Sequence, residues 1–186
     1  MITRIFIDQG HNPQNPNAGA EGNGLREQDI TYKIGVDLAE MLNANPDYRA
    51  ALSRNTPTEI LGSTNAESLR IRVEMAIAFG ADYFISLHTN ASLNPSASGC
   101  EGYAYSVISR GYAIGTDIIS HLSAKTGLRN RGMHARPTLF VLRRTPMPAV
   151  LVEMGFITNA HDAYLMNTQP DLFARGMYNG IIAFTS

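Results

Sequence analysis

Three apolar runs constrain this chain most, because each has the length and composition of a buried β-strand. Ile5-Phe6-Ile7-Asp8-Gln9-Gly10-His11 ends on His11, Tyr83-Phe84-Ile85-Ser86-Leu87-His88 on His88, and Ala149-Val150-Leu151-Val152-Glu153 on Glu153. A fourth polar candidate, Glu27, stands just before an amphipathic helical run. In open α/β folds, ligands collect beyond the carboxyl ends of the strands. Four such residues aimed there from distant parts of the chain suggest one assembled site.

The segments between these strands read mostly as helices, and that alternation argues for an α/β domain. A loop rich in Gly, Asn and Pro runs from Gly10 to about Gly24. Ile30, Ile34, Leu38 and Met41/Leu42 then recur at helical spacing, with Asp29 near the start and Asn43 to Pro46 ending the helix. Ala50 to Ser53 is weakly strand-like. Thr64-x-x-Glu67 makes a capping box for a second helix stopped at Gly80, with Leu69, Val73, Ala76 and Ile77 on one face. Gly102 to Ser106 reads as a strand, and Gly111 to about Lys125 as a helix with Ile114, Ile118 and Leu122 inward. Leu139 to Leu142 and Ala149 to Val152 read as two closely linked strands. Pro170 suits the first turn of a last helix carrying Phe173, Met177 and Ile181.

A length of 186 residues supports one well-filled core, so one domain is expected. With 15 basic and 16 acidic residues the net charge is −1, which gives no electrostatic reason to expect nucleic acid or an anionic membrane as partner. The single cysteine, Cys100, excludes an intrachain disulfide, and without a Cys-x-x-Cys pair the usual structural zinc sites are ruled out. No apolar run approaches the roughly 20 residues of a membrane span. The N-terminus reads directly into a strand, with no basic segment and apolar stretch of the signal-peptide kind. A monomer is the default expectation.

Each site residue also has a plainer reading. His11 alone reads equally as a loop histidine, although Gly10 permits a sharp turn and Asn12-Pro13 stops the strand. His88 follows a mostly apolar run and so sits where core gives way to cleft, or else is a satisfied buried histidine. Glu27 is favoured near a helix start by the helix dipole without any catalytic role. Glu153 is the sharpest signal, since an unpaired carboxylate in a buried run costs several kcal/mol and calls for a metal, a hydrogen-bond partner or a raised pKa. Two His and one Glu are a ligand set of catalytic zinc, with a fourth position left open. A second carboxylate nearby then serves as general base. The inventory fits amide hydrolysis.

The same segments resemble the zinc-dependent N-acetylmuramoyl-L-alanine amidases, peptidoglycan-cutting enzymes of bacterial autolysins and phage endolysins. Ile5 to His11 is similar to the family's opening strand, which ends in Asp-Pro-Gly-His. Gly24-Leu25-Arg26-Glu27-Gln28-Asp29-Ile30 resembles its Glu-Lys-Asp segment, and Phe84-Ile85-Ser86-Leu87-His88-Thr89-Asn90-Ala91 its Ser-Ile-His-Ala-Asn-Ala strand end. Pro148 to Asn159 resembles its Pro-Ala-Val-Leu-Val-Glu-x-Gly-Phe-Ile-Ser-Asn run, and Leu128-Arg129-Asn130-Arg131-Gly132 fits as well. The resemblance implies a single α/β domain over residues 1–186, with a mixed, mainly parallel sheet and helices on both faces. It implies Zn2+ held by His11, Glu27 and His88, Glu153 as catalytic base, and peptidoglycan as partner and substrate at the cell wall, reached by secretion or by release of a phage lysin. The bond cut is then the amide joining the lactyl group of N-acetylmuramic acid to L-alanine.

Asn90, His134 and Arg143, with its neighbour Arg144, are candidate substrate contacts, the arginines toward stem-peptide carboxylates. His121 reads as a structural helix residue and His161 as the first turn of a short helix capped by Asn159. The chain departs from the family pattern at Gln9 for proline, Asn12 for glycine, Ser53-Arg54 for Thr-Arg, and Ala78-Phe79 for Ala-Asn. Some exported members insert an inhibitory helix after the second histidine. Only twelve residues separate His88 from Glu101 here, so an open site is expected. No wall-binding module follows, so targeting is expected to come from elsewhere or to be weak. Two rival readings remain: a zinc peptidase cutting within the stem, and a wall-binding domain that lost the chemistry.

Overall fold

Side chains alternate across a β-strand, so a strand that is apolar at every position must be covered on both faces. The computed structural model describes residues 2–186, and its central strands meet this requirement. A six-stranded sheet is formed by β1 (Thr3–Gln9), β4 (Tyr48–Leu52), β5 (Tyr83–Asn90), β6 (Cys100–Ala104), β7 (Asn130–Ala135) and β8 (Ala149–Phe156), in the order β4-β1-β5-β8-β6-β7. The first four strands in that order run parallel, β6 is antiparallel to β8, and β7 runs parallel to β6. The sheet is therefore mixed and mainly parallel. Two very short strands, β2 (Glu21–Gly22) and β3 (Leu25–Arg26), form a separate hairpin in the loop after β1.

Helices cover both faces. Ile5, Ile7, Ile85, Leu87, Val150 and Val152 pack against α1 (Glu27–Ala44), α3 (Arg110–Thr126) and α6 (Pro170–Thr185). The intervening Phe6, Phe84, Ala149 and Leu151 face α2 (Asn65–Phe79) and α4 (Phe140–Arg144). Local signals set the helix limits as expected: Thr64 caps α2 by accepting from Glu67 N, and Gly80 ends it in the left-handed region. Asn159 likewise caps α5 (Ala160–Thr168). No helix among the described residues is long and apolar enough to cross a membrane.

Three expectations are corrected. Leu139 to Leu142 is not a strand: Leu139 is the N-cap of α4, whose Val141 and Leu142 are buried against the α2 face of the sheet. A four-residue apolar run has no periodicity that separates a strand from a buried helical turn. Conversely, Asn130 to Ala135 forms edge strand β7, which is exposed at both ends and lacks apolar alternation. The open edge of β6 organises it, and His134, which follows Gly132 and reads from sequence as a loop residue, stands in this strand. Ile77, read as inward-facing with Leu69, Val73 and Ala76, is 49% exposed.

On the α2 side, period-2 alternation carries Phe6 to Asp8 and Phe84 to Ser86, so the polar ends of β1 and β5 point toward Arg72 of α2. Asp8 and Arg72 are each 1% exposed. Arg72 Nη1 donates to Asp8 Oδ1 at 2.6 Å and to the Gln9 carbonyl at 2.6 Å, and Nη2 donates to the His11 carbonyl at 2.6 Å. Ser86 Oγ donates to Asp8 Oδ2 at 2.7 Å. Burial pushes the Asp8 carboxyl up, but the Arg72 charge and these hydrogen bonds outweigh it and hold the group below its ordinary value. Because the folded-state pKa is depressed, the stabilisation is fully present above the unfolded value near 3.9 and is lost as pH falls through the folded value. We expect Arg72→Met to lower the urea-unfolding free energy by about 3–5 kcal/mol at pH 7, since it leaves a buried carboxylate unpaired. The gap to the parent protein should narrow in acid. A deficit under about 1 kcal/mol at pH 7 would contradict the role given to this pair.

Candidate metal centre and active site

The loop after β1 returns to the sheet so that three segments meet. His11 takes a left-handed backbone conformation, φ 70°, fixed by the Arg72 bond to its carbonyl. Asn12 braces the same turn: its Oδ1 accepts from Leu61 N at 3.1 Å and its Nδ2 donates to the Pro16 carbonyl at 2.7 Å. Two glycines leave room for the meeting. A Cβ on Gly10 would lie 2.6 Å from Cε1 of His88, and one on Gly19 would lie 2.8 Å from Glu27 Oε2 and 2.9 Å from His11 Cδ2.

Glu27 is the first residue of α1 and is 3% exposed. Its Oε1 lies 3.0 Å from His88 Nδ1 and accepts from Thr89 N at 2.9 Å. Its Oε2 lies 3.2 Å from His11 Nε2 and accepts from Ala20 N at 2.9 Å. Burial raises the Glu27 carboxyl, yet the two imidazoles overcome it and keep the group well below the usual carboxylate range. One ligand atom from each of His11, Glu27 and His88 lies within 4.8 Å of the other two. Tetrahedral zinc with bonds of roughly 2.0–2.2 Å places neighbouring donors roughly 3.3–3.6 Å apart, so the spacing accommodates such an ion. Glu153 Oε2 is buried without any hydrogen-bond partner, a demand that water held by a cation at this cluster would meet.

Strand register places Glu153 beside His88 on one side and opposite Glu101 on the other. Burial, and then the carboxylates of Glu27 and Glu101, push the Glu153 carboxyl up to about 8. Glu101 is itself a hub. Its Oε1 accepts from Asn90 Nδ2 at 2.6 Å and from Tyr103 OH at 2.8 Å, while Oε2 accepts from Arg131 Nε at 3.1 Å and lies 3.7 Å from His134 Nε2. The Tyr103 hydroxyl is pushed up to about 12 by burial and by its bond to Glu101.

The structure thus brings His11, Glu27 and His88 together, sets Glu153 alongside them, and gathers Asn90 and His134 around Glu101. Arg143 lies elsewhere, in a groove with Tyr105, Ser109 and Ala149. Ala149 begins β8, four residues and so roughly 13 Å along the strand from Glu153. A cavity of about 180 Å³ lined by His11, His88, Leu69, Arg72, Phe140 and Leu151 adjoins the cluster. A larger one, about 540 Å³, opens at the β4 edge, but Ala50, Ala51, Met75 and Phe79 line it with no titratable group, so it offers no chemistry. Residues 91–99 form no helix, and bonds from Ser92 N to Thr158 Oγ1 and from Gly99 N to Asp162 Oδ2 tie them down.

Sequence reasoning passed over Glu101, Asp8 and Arg72. Signals existed for the last two. Asp8 interrupts an apolar strand, and Arg72 stands three residues after Leu69 on the inward face of α2. A carboxylate and a guanidinium, each misplaced in an apolar pattern, imply one another. Glu101 carried no such mark, because its hydrogen-bond donors come from three separate strands.

Together these features define an α/β domain built around a metal-type His–Glu–His cluster with a strained carboxylate beside it. The sequence matches the N-acetylmuramoyl-L-alanine amidase family, Amidase_3, over residues 5–183, and the chain belongs to that family. It is 34% identical over 184 residues to the N-acetylmuramoyl-L-alanine amidase LytC of Bacillus subtilis, covering 97% of this chain and 35% of LytC. It is also 34% identical to the N-acetylmuramoyl-L-alanine amidase CwlM of Bacillus licheniformis, covering 97% of this chain and 68% of CwlM. The chain therefore spans about a third of one relative and two thirds of the other. The crystal structure of the N-acetylmuramoyl-L-alanine amidase from Clostridium difficile 630 superimposes with a TM-score of 0.88 at 27% identity, covering 98% of this chain and 96% of that one.

A carboxyl raised in the folded state binds its proton more tightly there than in the unfolded chain, whose glutamates titrate near 4.3. Stability is therefore lost as pH rises from about 4.3 through about 8. In metal-free protein, Glu153→Gln should remove this loss, so the melting temperature of the parent should fall more between pH 5 and pH 9 than that of the variant. Parallel melting curves for the two proteins would show that Glu153 ionises without penalty.

Proposed function

We propose that this chain hydrolyses the amide between the lactyl group of N-acetylmuramic acid and L-alanine in peptidoglycan, acting at the cell wall. The observation that carries the reading is the convergence of His11, Glu27 and His88 beside Glu153 in a chain of this family. His11, Glu27 and His88 hold zinc, which supplies polarisation of the scissile carbonyl and acidification of water. Thr89 N and Ala20 N orient the Glu27 carboxylate, so the backbone fixes the donor that would hold the cation.

Glu153 carries the proton. With its carboxyl pushed toward neutrality, it takes a proton from the attacking water as the new C–O bond forms. It returns that proton to the nitrogen as the C–N bond breaks, giving the lactyl carboxylic acid and the amine of L-alanine, which then ionise to carboxylate and ammonium. Glu101 keeps Asn90, Tyr103 and Arg131 arranged beside this carboxylate.

Digestion of purified peptidoglycan by zinc-loaded protein, with products identified by mass spectrometry, tests the reading. Free stem peptides beginning at L-alanine should appear beside intact glycan strands. Chelation should abolish cleavage and added zinc restore it. Glu153→Ala should reduce turnover by roughly 10²–10⁴-fold while zinc stoichiometry stays unchanged. Cuts inside the stem would point to a peptidase instead, and tight wall binding without any cleavage would leave a binding module.

A further inference from the structure

The cavity at the metal cluster does not end there. Phe140 forms one wall of that cavity and also one wall of a second depression of about 400 Å³ between α2 and α4, lined by Arg70, Val73, Glu74, Ile77 and Arg144. The two are consecutive segments of one seam. Asn65, Leu69 and Arg72 of α2 face the catalytic end, and Val73, Glu74 and Ile77 continue it. Helical rise from Asn65 to Ile77 makes the seam roughly 18 Å long, the span of about five extended peptide residues.

We infer that this α2–α4 groove is the subsite for the distal part of the stem peptide, with Arg144 receiving a stem carboxylate. The inference rests on the amidase reading above and names the part of the substrate that the seam holds. Its lining favours peptide over glycan. The half-exposed Ile77 and the partly exposed Phe140 offer apolar surface suited to alanine methyls, whereas sugar hydroxyls require many convergent polar groups. The charge also fits. Arg70 is already engaged by Glu74 at 2.6 Å and Glu67 at 3.7 Å. Arg144 is exposed, and among the described residues no carboxylate lies within ion-pair distance of it. Arg144 stands four positions after Phe140 on α4, about 6 Å of helix, so a peptide passing over Phe140 reaches it about two residues later.

Two measurements test this together. Zinc-loaded parent, Arg144→Glu, Arg144→Lys and Ile77→Glu proteins would be compared on N-acetylmuramoyl-L-alanyl-D-isoglutamine and on the corresponding muramoyl pentapeptide. Binding of the free stem pentapeptide to each would be followed by calorimetry, a readout that needs no turnover. Arg144→Glu should raise KM on the pentapeptide substrate roughly two- to fivefold with kcat little changed. It should leave the short substrate unaffected and weaken pentapeptide binding to the same degree, and Arg144→Lys should restore most of the loss. Ile77→Glu should act in the same direction. Equal effects on short and long stems, or none on either, would overturn the assignment. A loss that grows with glycan length instead would give the groove to the glycan. If the parent cut neither substrate yet Arg144→Glu still abolished pentapeptide binding, the groove would stand and the amidase reading would fall.

Discussion

A single buried guanidinium fixes the geometry on which the site depends. Arg72 reaches from α2 to the end of β1, where it binds the Asp8 carboxylate and the carbonyls of Gln9 and His11. Gln9 is the last residue of β1 and His11 lies beyond the sheet ladder, so Arg72 binds the backbone where strand pairing ends. The left-handed conformation of His11 is sparsely populated for a side-chain-bearing residue and persists only when its surroundings impose it. Arg72 imposes it, and Asn12 holds the following turn. The position of His11 is therefore set by the packing of α2 on the sheet. Site geometry and core folding are one event in this protein.

The departures at Gln9 and Asn12 become intelligible in that frame. Proline at position 9 would donate nothing, whereas Gln9 N donates to Ser53 Oγ at 2.9 Å and its side chain accepts from Arg54 N at 2.9 Å. The glutamine side chain thereby links β1 to the end of β4. Asn12 likewise replaces the freedom of glycine with bonds to Leu61 and Pro16. Both substitutions strengthen the walls around His11 without touching the donors of the cluster.

Most of the fold was legible because its central strands are apolar on both faces and its helices carry clear caps and stripes. His11, His88 and Glu153 drew notice for a related reason: each ends or interrupts an apolar run, where a polar side chain must be accounted for, whereas Glu27, at a helix start, carried no such contrast and rested on the family resemblance. What stayed hidden lacked local contrast. β7 is a polar edge strand whose existence depends on a neighbour from another part of the chain. α4 was hidden because one helical turn and one short strand look alike at four residues. Glu101 is ordinary in sequence and becomes a hub only when β5, β6 and β7 align. Arg143 looked like a cleft residue because Arg-Arg precedes the Glu153 strand. The strand is entered from the opposite end of the sheet, which no local pattern reveals.

Strand register also explains why the site contains a carboxyl with nothing to hold it. The backbone ladder pairs Glu101 with Glu153 and Glu153 with His88, so adjacent strands place these side chains roughly 5 Å apart whatever their charge. At that spacing two carboxylates repel by roughly 3 kcal/mol at an effective dielectric constant of 20. Glu101 escapes the conflict through Arg131, Asn90 and Tyr103, and Glu27 through two imidazoles and two backbone amides. Glu153 has neither, and its Oε2 has no partner at all. Leucine or methionine at this position would relieve the sheet of that repulsion. In the role proposed for Glu153, a carboxyl kept there against the electrostatics, with its proton affinity moved toward neutrality, is what proton transfer at an adjacent bond requires. The cation proposed for the neighbouring cluster would act in the opposite sense, drawing the Glu153 carboxyl back toward its ionised form and so toward the state that accepts a proton.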